Sequence, residues 1–116
     1  MKRTALKLTL MTAALALLAP SAASPFEMAG PSLTAIDIFN SKCALCHAKN
    51  GAGLPSWRAK GQPDFTNPDW QKSRTDAQIA EAIRNGKGKL MPSFKTKLSE
   101  QDITALVAVV RRFGKK

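Results

Sequence analysis

This sequence of 116 residues has very few of the side chains that serve metal binding and acid–base catalysis: two cysteines and one histidine. All three lie close together as Cys43, Cys46 and His47. A structural zinc site needs four donors, so these three, with no second Cys or His cluster, do not complete one. No second imidazole is available as an acid or a base, and the carboxylates lie mostly in predicted helix caps. We therefore expect a protein that is not an enzyme.

Aromatic and acidic residues are also scarce. Aromatics account for 6% of the chain, and 8 acidic residues stand against 18 basic ones, which gives a formal net charge of +10. A basic chain can bind nucleic acid, but such binding usually combines clustered Lys and Arg with aromatic side chains. No run of Lys or Arg here exceeds two residues, so we expect no nucleic-acid partner.

Long hydrophobic runs are confined to the N-terminus, and the run found there is short. Lys2 and Arg3 precede an apolar run at 8–19, and small residues follow at 21–23. Spanning a bilayer takes about 20 apolar residues, whereas this arrangement is typical of a secretory signal peptide. We predict an exported protein with no stable membrane insertion after the signal peptide is cleaved. Its three segments are a signal peptide at 1–23, a linker at 24–32 and one domain at 33–116. An uncleaved N-terminal anchor is the alternative.

The segment Cys43-Ala44-Leu45-Cys46-His47 has the Cys-x-x-Cys-His spacing of a c-type haem attachment site. Two thiols on one turn can each form a thioether with one vinyl group of a porphyrin, and the adjoining histidine can bind the iron. A disulfide across the motif would close too small a loop to stabilise much. A thioredoxin-like pair needs a preceding strand, which the sequence lacks. We therefore predict one covalently bound haem c.

Helical patterns dominate the rest of the chain, and no alternating strand pattern of useful length occurs. Loops rich in glycine, proline or lysine lie at 51–66 and 86–97. Short-range spacing predicts three helix caps: Thr34, Thr75 with Gln78, and Ser99 with Asp102. The sequence thus predicts an all-α domain whose loops surround a flat cofactor.

A proximal histidine leaves the other face of the haem iron to fill, and with one histidine in the chain a ligand on that face is not another imidazole. Outside the predicted signal peptide the methionines are Met28, in the linker, and Met91, in the second loop. Pro92 biases Met91 towards extended geometry, which helps to hold a thioether at the end of a loop. A Met/His ligand pair raises the reduction potential of haem iron. Met91 is the predicted distal ligand, and a flexible methionine that only fills the core is the alternative.

Three segments in this order resemble class I monohaem cytochromes c: the haem motif at 43–47, GKGKLMPSF at 86–94 and LSEQDI at 98–103. The resemblance implies a small all-α cytochrome c fold, with crossed N- and C-terminal helices and loops wrapping one haem. It implies His47 as the proximal and Met91 as the distal iron ligand. Bacterial c-type haems are attached outside the cytoplasm, which agrees with export to the periplasm.

The resemblance also assigns supporting positions. The carbonyl of Pro55 would accept a hydrogen bond from the second ring nitrogen of His47, and such a bond orients the imidazole. Phe39 and Leu106 fit the pair of residues at the helix crossing. Two positions depart from the family pattern: Ala35, where glycine is usual, and Val109, where an aromatic residue is common.

Other residues are predicted to surround the haem. Trp57 and Trp70 are candidates for the pocket walls, with ordinary core packing an equal alternative for each, and Phe65 and Phe94 are expected in the core. Six lysines flank the ligand segments: Lys42, Lys49, Lys87, Lys89, Lys95 and Lys97. They predict a basic rim that attracts redox proteins with an acidic docking face, and a merely solvated surface is the alternative.

These observations predict an exported one-electron carrier with a His/Met-ligated haem c. Two alternatives stay open. One is a haem protein with a labile distal ligand, which acts in small-ligand sensing or peroxide chemistry. The other is an electron-transfer subunit of a larger redox complex.

Overall fold

The computed structural model describes residues 33–115, together with Ala14 and Ala16. The predicted linker at 24–32 lies outside the described residues, as does nearly all of the predicted signal peptide at 1–23. Six α-helices run through the described part: α1 Leu33–Ile38, α2 Ala44–His47, α3 Pro55–Arg58, α4 Pro68–Ser73, α5 Asp76–Asn85 and α6 Glu100–Phe113. One π-helical turn, Phe39–Cys43, joins α1 to α2.

The all-α prediction is confirmed. Over residues 33–115 the only strand-like pairing is an isolated bridge between Lys87 and Met91. None of the helices in that range is long and apolar enough to cross a membrane.

The two longest helices, α5 and α6, have the N-terminal caps that the sequence predicts. At α5, the hydroxyl of Thr75 accepts from the backbone N–H of Gln78 at 3.1 Å, and the side chain of Gln78 accepts from the N–H of Thr75 at 2.9 Å. At α6, Ser99 and Asp102 make the same reciprocal pair at 3.0 and 3.1 Å. Such a cap stabilises a helix by about 1 kcal/mol, so each of these helices has a start defined by its own sequence.

The first helix starts earlier than predicted. α1 begins at Leu33, so Thr34 lies inside the helix and the cap prediction is wrong. A cap residue needs non-helical backbone angles, and the helix already includes Thr34. After α1 the backbone widens into the π turn, where the hydroxyl of Ser41 donates to the carbonyl of Asp37 at 2.9 Å. Such turns are frequent at functional sites, and Cys43 is the last residue of this one.

The core lies between the first helical segment and α6. Ala35 and Phe39 are buried on one side, and Leu106 and Val109 on the other. Phe39 and Leu106 both belong to this core cluster, in agreement with their assignment to the crossing. Ala35, at 1% exposure, is small enough for the helices to approach closely without the glycine that is usual in the family.

The aromatic residue missing at Val109 is supplied one turn later by Phe113. Its ring centroid lies 5.0 Å from that of Phe39, and such a pair contributes about 0.5–1.5 kcal/mol beyond area burial. Gly51, in the loop after the haem motif, makes room for it. A Cβ at Gly51 would lie 2.4 Å from Cγ of Phe113, and its φ is +74°. The end of α6 is therefore packed directly against the loop that follows the motif.

Candidate haem site

The haem motif lies at the junction of the π turn and α2, and a loop closes behind it. Cys43 ends the π turn, and Cys46 and His47 lie in α2. The backbone N–H of Gly53 donates to the carbonyl of His47 at 2.9 Å, and that of Leu54 donates to the carbonyl of Cys46 at 3.2 Å. Carbonyls at a helix end have no partner within the helix, so these bonds satisfy them and fix the backbone of the motif.

A cavity of about 790 Å³ opens beside the motif. Cofactor sites have volumes of roughly 300–1,000 Å³, so this one is large enough for a macrocycle. Cys43, Cys46 and His47 line it from the motif, and Met91 lines it from the second loop. Both cysteines are free thiols and half-buried. The structure thus brings to one cavity all four side chains predicted to attach or ligate the haem.

This donor set fits a haem. Two thiols, an imidazole and a thioether are the groups that form two thioethers and a Met/His axial pair. The cavity wall between them is mostly apolar, as suits a large planar hydrophobic group. Within residues 33–115, no group of three or more His, Cys, Asp or Glu side chains could hold a metal ion by itself.

Burial sets the protonation of His47 and Cys43. It lowers the pKa of the His47 imidazole to about 4, so the ring is neutral at pH 7, which is the form that binds a metal. It also raises the pKa of the Cys43 thiol to about 11, against the opposing effect of the Lys42 charge. Redox-active thiols have lowered pKa values, so Cys43 does not have the character of a thioredoxin-like nucleophile.

A phenylalanine packs against the imidazole of the motif. Phe65 is buried, and its ring stacks on that of His47 with centroids 4.6 Å apart and planes 17° apart. The predicted hydrogen bond from His47 to the carbonyl of Pro55 is absent. Pro55 is the first residue of α3, and its carbonyl accepts from the backbone N–H of Ala59 at 3.0 Å.

The supporting role assigned to Pro55 is therefore corrected. A proline at the first position of a helix is favoured there by its fixed φ, and the following residues are then helical, which directs its carbonyl along the helix axis. The Nδ1 atom of His47 is buried and has no hydrogen-bond partner among the described residues. In this structure the ring of His47 stacks on Phe65 and makes no hydrogen bond to Pro55.

Hydrogen bonds hold the loop that carries Met91 on both sides of this residue. Lys87 and Met91 exchange backbone hydrogen bonds of 3.0 and 3.3 Å, so Met91 closes a tight turn. Just beyond it, the hydroxyl of Ser93 donates to the carbonyl of Arg84 in α5 at 2.7 Å. The next backbone N–H, that of Phe94, also bonds to an α5 carbonyl. These bonds hold the backbone of Met91 in place at the wall of the cavity.

Gly86 allows this turn to approach α5. Its φ and ψ are +76° and 178°, a combination that is essentially confined to glycine. A Cβ at Gly86 would lie 2.6 Å from the carbonyl oxygen of Met91. Gly86 therefore positions the methionine through the backbone.

The structure separates the two tryptophans. Trp57 lines the cavity, and Nζ of Lys60 lies 4.8 Å from the centre of its ring. Trp70 packs against Phe65 with centroids 4.9 Å apart, so it supports the wall behind the imidazole. Lys60 and the stacking role of Phe65 were missed by sequence reasoning. For Phe65, the available signal was an aromatic residue in a loop rich in glycine and proline. Phe94, expected in the core, is buried and also lines the cavity.

The mouth of the cavity is basic. Four lysines and, among the described residues, no acidic side chain line the cavity: Lys42, Lys60, Lys87 and Lys89. Lys49, Lys95 and Lys97, also predicted for the rim, are exposed but do not line it. The four ion pairs found in the described part of the chain all use arginine. Leu45 and Leu90, 73% and 50% exposed, add apolar surface at the same mouth.

Comparison with known proteins relates this site to a family. Residues 31–109 match the family described as cytochrome c oxidase, cbb3-type, subunit III. The FixP subunit of a cbb3-type cytochrome c oxidase from Azorhizobium caulinodans is 35% identical over 78 residues, which cover 67% of this chain and 26% of that protein. The CcoP subunit from Cereibacter sphaeroides is 30% identical over 77 residues, which cover 66% of this chain and 26% of that protein. The chain thus spans about a quarter of the length of these curated relatives.

Similar solved structures are covered over nearly their full length. The structure of the KustC0563 c-type cytochrome is similar to this one with a TM-score of 0.66 and 32% sequence identity. The match covers 70% of this chain and 98% of that chain. A point mutant of the same cytochrome matches with a TM-score of 0.63 and 33% sequence identity.

Proposed function

Because the chain belongs to the cytochrome c family described as cytochrome c oxidase, cbb3-type, subunit III, we propose that it passes single electrons between redox proteins through one haem c. The all-α cytochrome c fold and a covalently bound haem c as the cofactor follow from that membership. When bound, the haem supplies an iron that alternates between Fe(II) and Fe(III).

The observation that carries the assignment of site residues is the single cavity shared by four donor side chains. Cys43 and Cys46 would form the thioethers, His47 would be the proximal ligand and Met91 the distal one. The task of the protein is to keep both axial donors in place in both oxidation states and to keep water from the iron. The neutral imidazole and the apolar cavity wall serve that task.

The hydrogen bonds that hold the loop carrying Met91 favour electron transfer over sensing or peroxide chemistry. A sensor needs a distal ligand that leaves easily, whereas Met91 closes a turn with paired backbone hydrogen bonds. Ser93 adds a further bond to α5 directly after it. We therefore place the protein among carriers and not among enzymes.

The names of the relatives support a second form of the same proposal, an electron-transfer subunit of a larger redox complex. FixP and CcoP are by name subunits of cbb3-type oxidases. Copurification of a tagged chain from its own organism would distinguish a fixed subunit, which brings stoichiometric partners, from a free shuttle.

We also propose a periplasmic location with a signal peptide at 1–23. N-terminal sequencing of the mature protein that finds Met1 would contradict the cleavage.

The visible spectrum of the oxidised, haem-loaded protein tests the proposed site. We expect a weak charge-transfer band from a methionine thioether to Fe(III) in the far red, since Met91 is the one methionine within residues 33–115. Its absence, with the haem covalently attached, would show an open or lysine-bound distal face. The proposal of a His/Met carrier would then give way to the sensing or peroxide alternative.

Salt dependence tests the proposed acidic docking face. The lysines at the cavity mouth should raise the rate at which negatively charged partners approach. We expect stopped-flow oxidation of the reduced protein by anionic hexacyanoferrate(III) to slow with added salt, and oxidation by a cationic cobalt(III) complex to show the opposite trend. Physiological partners with acidic faces should follow the anionic probe.

A pair of matched variants separates local steering from net charge. K87Q/K89Q removes two charges at the mouth, and K72Q/K115Q removes two exposed charges that do not line the cavity. We expect only the first to flatten the salt profile with the anionic probe. Equal effects of the two pairs, or a flat profile in the wild type, would contradict a docking face at the cavity mouth.

A further inference from the structure

The backbone of Phe65 is held on both sides by residues of other segments. Its N–H donates to the carbonyl of Gly51, in the loop that follows the haem motif, at 2.9 Å. Its own carbonyl accepts from Nε2 of Gln71 at 2.8 Å, and the same amide donates to the carbonyl of Val110 in α6 at 2.9 Å. Phe65 is thus attached to both the motif loop and the C-terminal helix.

Gln71 is itself fixed in one conformation. Its Oε1 accepts from a guanidinium nitrogen of Arg111 at 2.9 Å, and Arg111 also pairs with Asp76 at 2.7 Å. Gly114 packs so closely that a Cβ there would lie 2.5 Å from the Gln71 side chain. With both N–H groups and its oxygen hydrogen-bonded, this amide has little freedom to shift, so the backbone of Phe65 has little freedom either.

The ring of Phe65 is the closest aromatic neighbour of the His47 ring, at 4.6 Å and 17°. Phe65 also packs against Trp70, with ring centroids 4.9 Å apart, and against Phe113, with centroids 6.4 Å apart. A histidine that binds a metal almost always donates its second ring N–H to an acceptor, which fixes the plane of the ring. In the described part of the chain, Nδ1 of His47 has no such acceptor and is buried.

We propose that Phe65 is a positioning residue for the proximal imidazole: its ring fixes the plane of His47, and Gln71 is the brace that holds Phe65. The inference rests on the proposed role of His47 as an iron ligand. Phe65 gives the imidazole a fixed plane through ring stacking.

Proton NMR of the oxidised, haem-loaded protein tests this inference directly. The paramagnetic shifts of the haem methyl groups depend on the orientation of the axial imidazole plane, and a merely structural residue does not change their pattern. We expect F65L to change the order or the spread of these resonances, because the ring plane is then free to turn.

F39L is the matched control. Phe39 is buried in the same core cluster, and its ring contact among the described residues is with Phe113. Both variants lose one aromatic ring, so both should lower the melting temperature, but F39L should leave the methyl pattern unchanged. A second variant, Q71M, keeps the ring of Phe65 and removes the brace. Q71M should shift the haem methyl resonances in the same direction as F65L but by a smaller amount. If F65L does not retain haem, Q71M alone tests the positioning role of Phe65.

The outcomes separate this inference from the proposed function. If the wild-type protein lacks the signature of a His/Met-ligated iron, the proposed site fails. If the wild type has that signature but F65L and Q71M keep its methyl pattern, only the positioning role is overturned. A change of equal size in F39L would also overturn it, because general loosening of the core would then account for the result.

Discussion

Replacing Met91 with leucine is expected to lower the reduction potential of the haem-loaded protein by about 0.1 V or more, because a Met/His pair raises the potential and axial ligands tune haem potentials over a range of about 0.8 V. Met91 lines the cavity beside the haem motif. Leucine has nearly the volume of methionine, so the change in side-chain packing should cost less than about 1.5 kcal/mol of folding free energy. A spectroelectrochemical titration measures the potential, and the far-red band should disappear with it.

The neighbouring residue provides the control for M91L. Leu90 lies in the same turn, lines the same cavity and is half exposed, but it has no donor atom in its side chain. L90A should therefore keep both the potential and the band. Carbon monoxide should bind the reduced M91L protein readily and the L90A protein poorly. If M91L kept the wild-type potential and band, Met91 would not be the distal ligand.

Replacing Gly86 with alanine is expected to destabilise the protein and to loosen the distal ligand together. The backbone angles of Gly86, +76° and 178°, cost a residue with a Cβ about 1–3 kcal/mol. The Cβ would also lie 2.6 Å from the carbonyl oxygen of Met91 and 2.9 Å from the backbone of Pro92. Because both contacts are with backbone, relief requires movement of the turn that carries Met91. Thermal unfolding and the rate of carbon monoxide binding to the reduced protein measure the two effects.

Gly88, two residues further along the same turn, separates strain from displacement. Its φ is +59°, but a Cβ there would meet nothing within 4 Å. G88A should cost about 1–2 kcal/mol for a left-handed residue with a Cβ and should leave carbon monoxide binding slow. If G86A and G88A bound carbon monoxide equally fast, Gly86 would have no particular part in positioning Met91.

The ligand types and the helix starts were predictable because they depend on residues close together in the chain. The Cys-x-x-Cys-His spacing names two thiols and an imidazole on one turn. The caps at Thr75 and Ser99 each join residues three positions apart, and both are present. Met91 was predicted by elimination and by Pro92 beside it, and the structure places it at the same cavity as the motif.

The surroundings of these ligands were not predictable, since they are set by segments far apart in the sequence. The sequence alone determined that one segment supplies the thiols and the imidazole, that helices dominate and that the chain is basic. Only the tertiary structure decided that Phe113 and not Val109 supplies the aromatic ring at the helix crossing, and that Trp57 and not Trp70 lines the cavity. It likewise decided that Phe65 stacks on His47 while Pro55 starts a helix. The reason is physical: a cap or an attachment motif is completed within one turn of helix, whereas a stacking partner is chosen by how whole helices and loops fill the same volume.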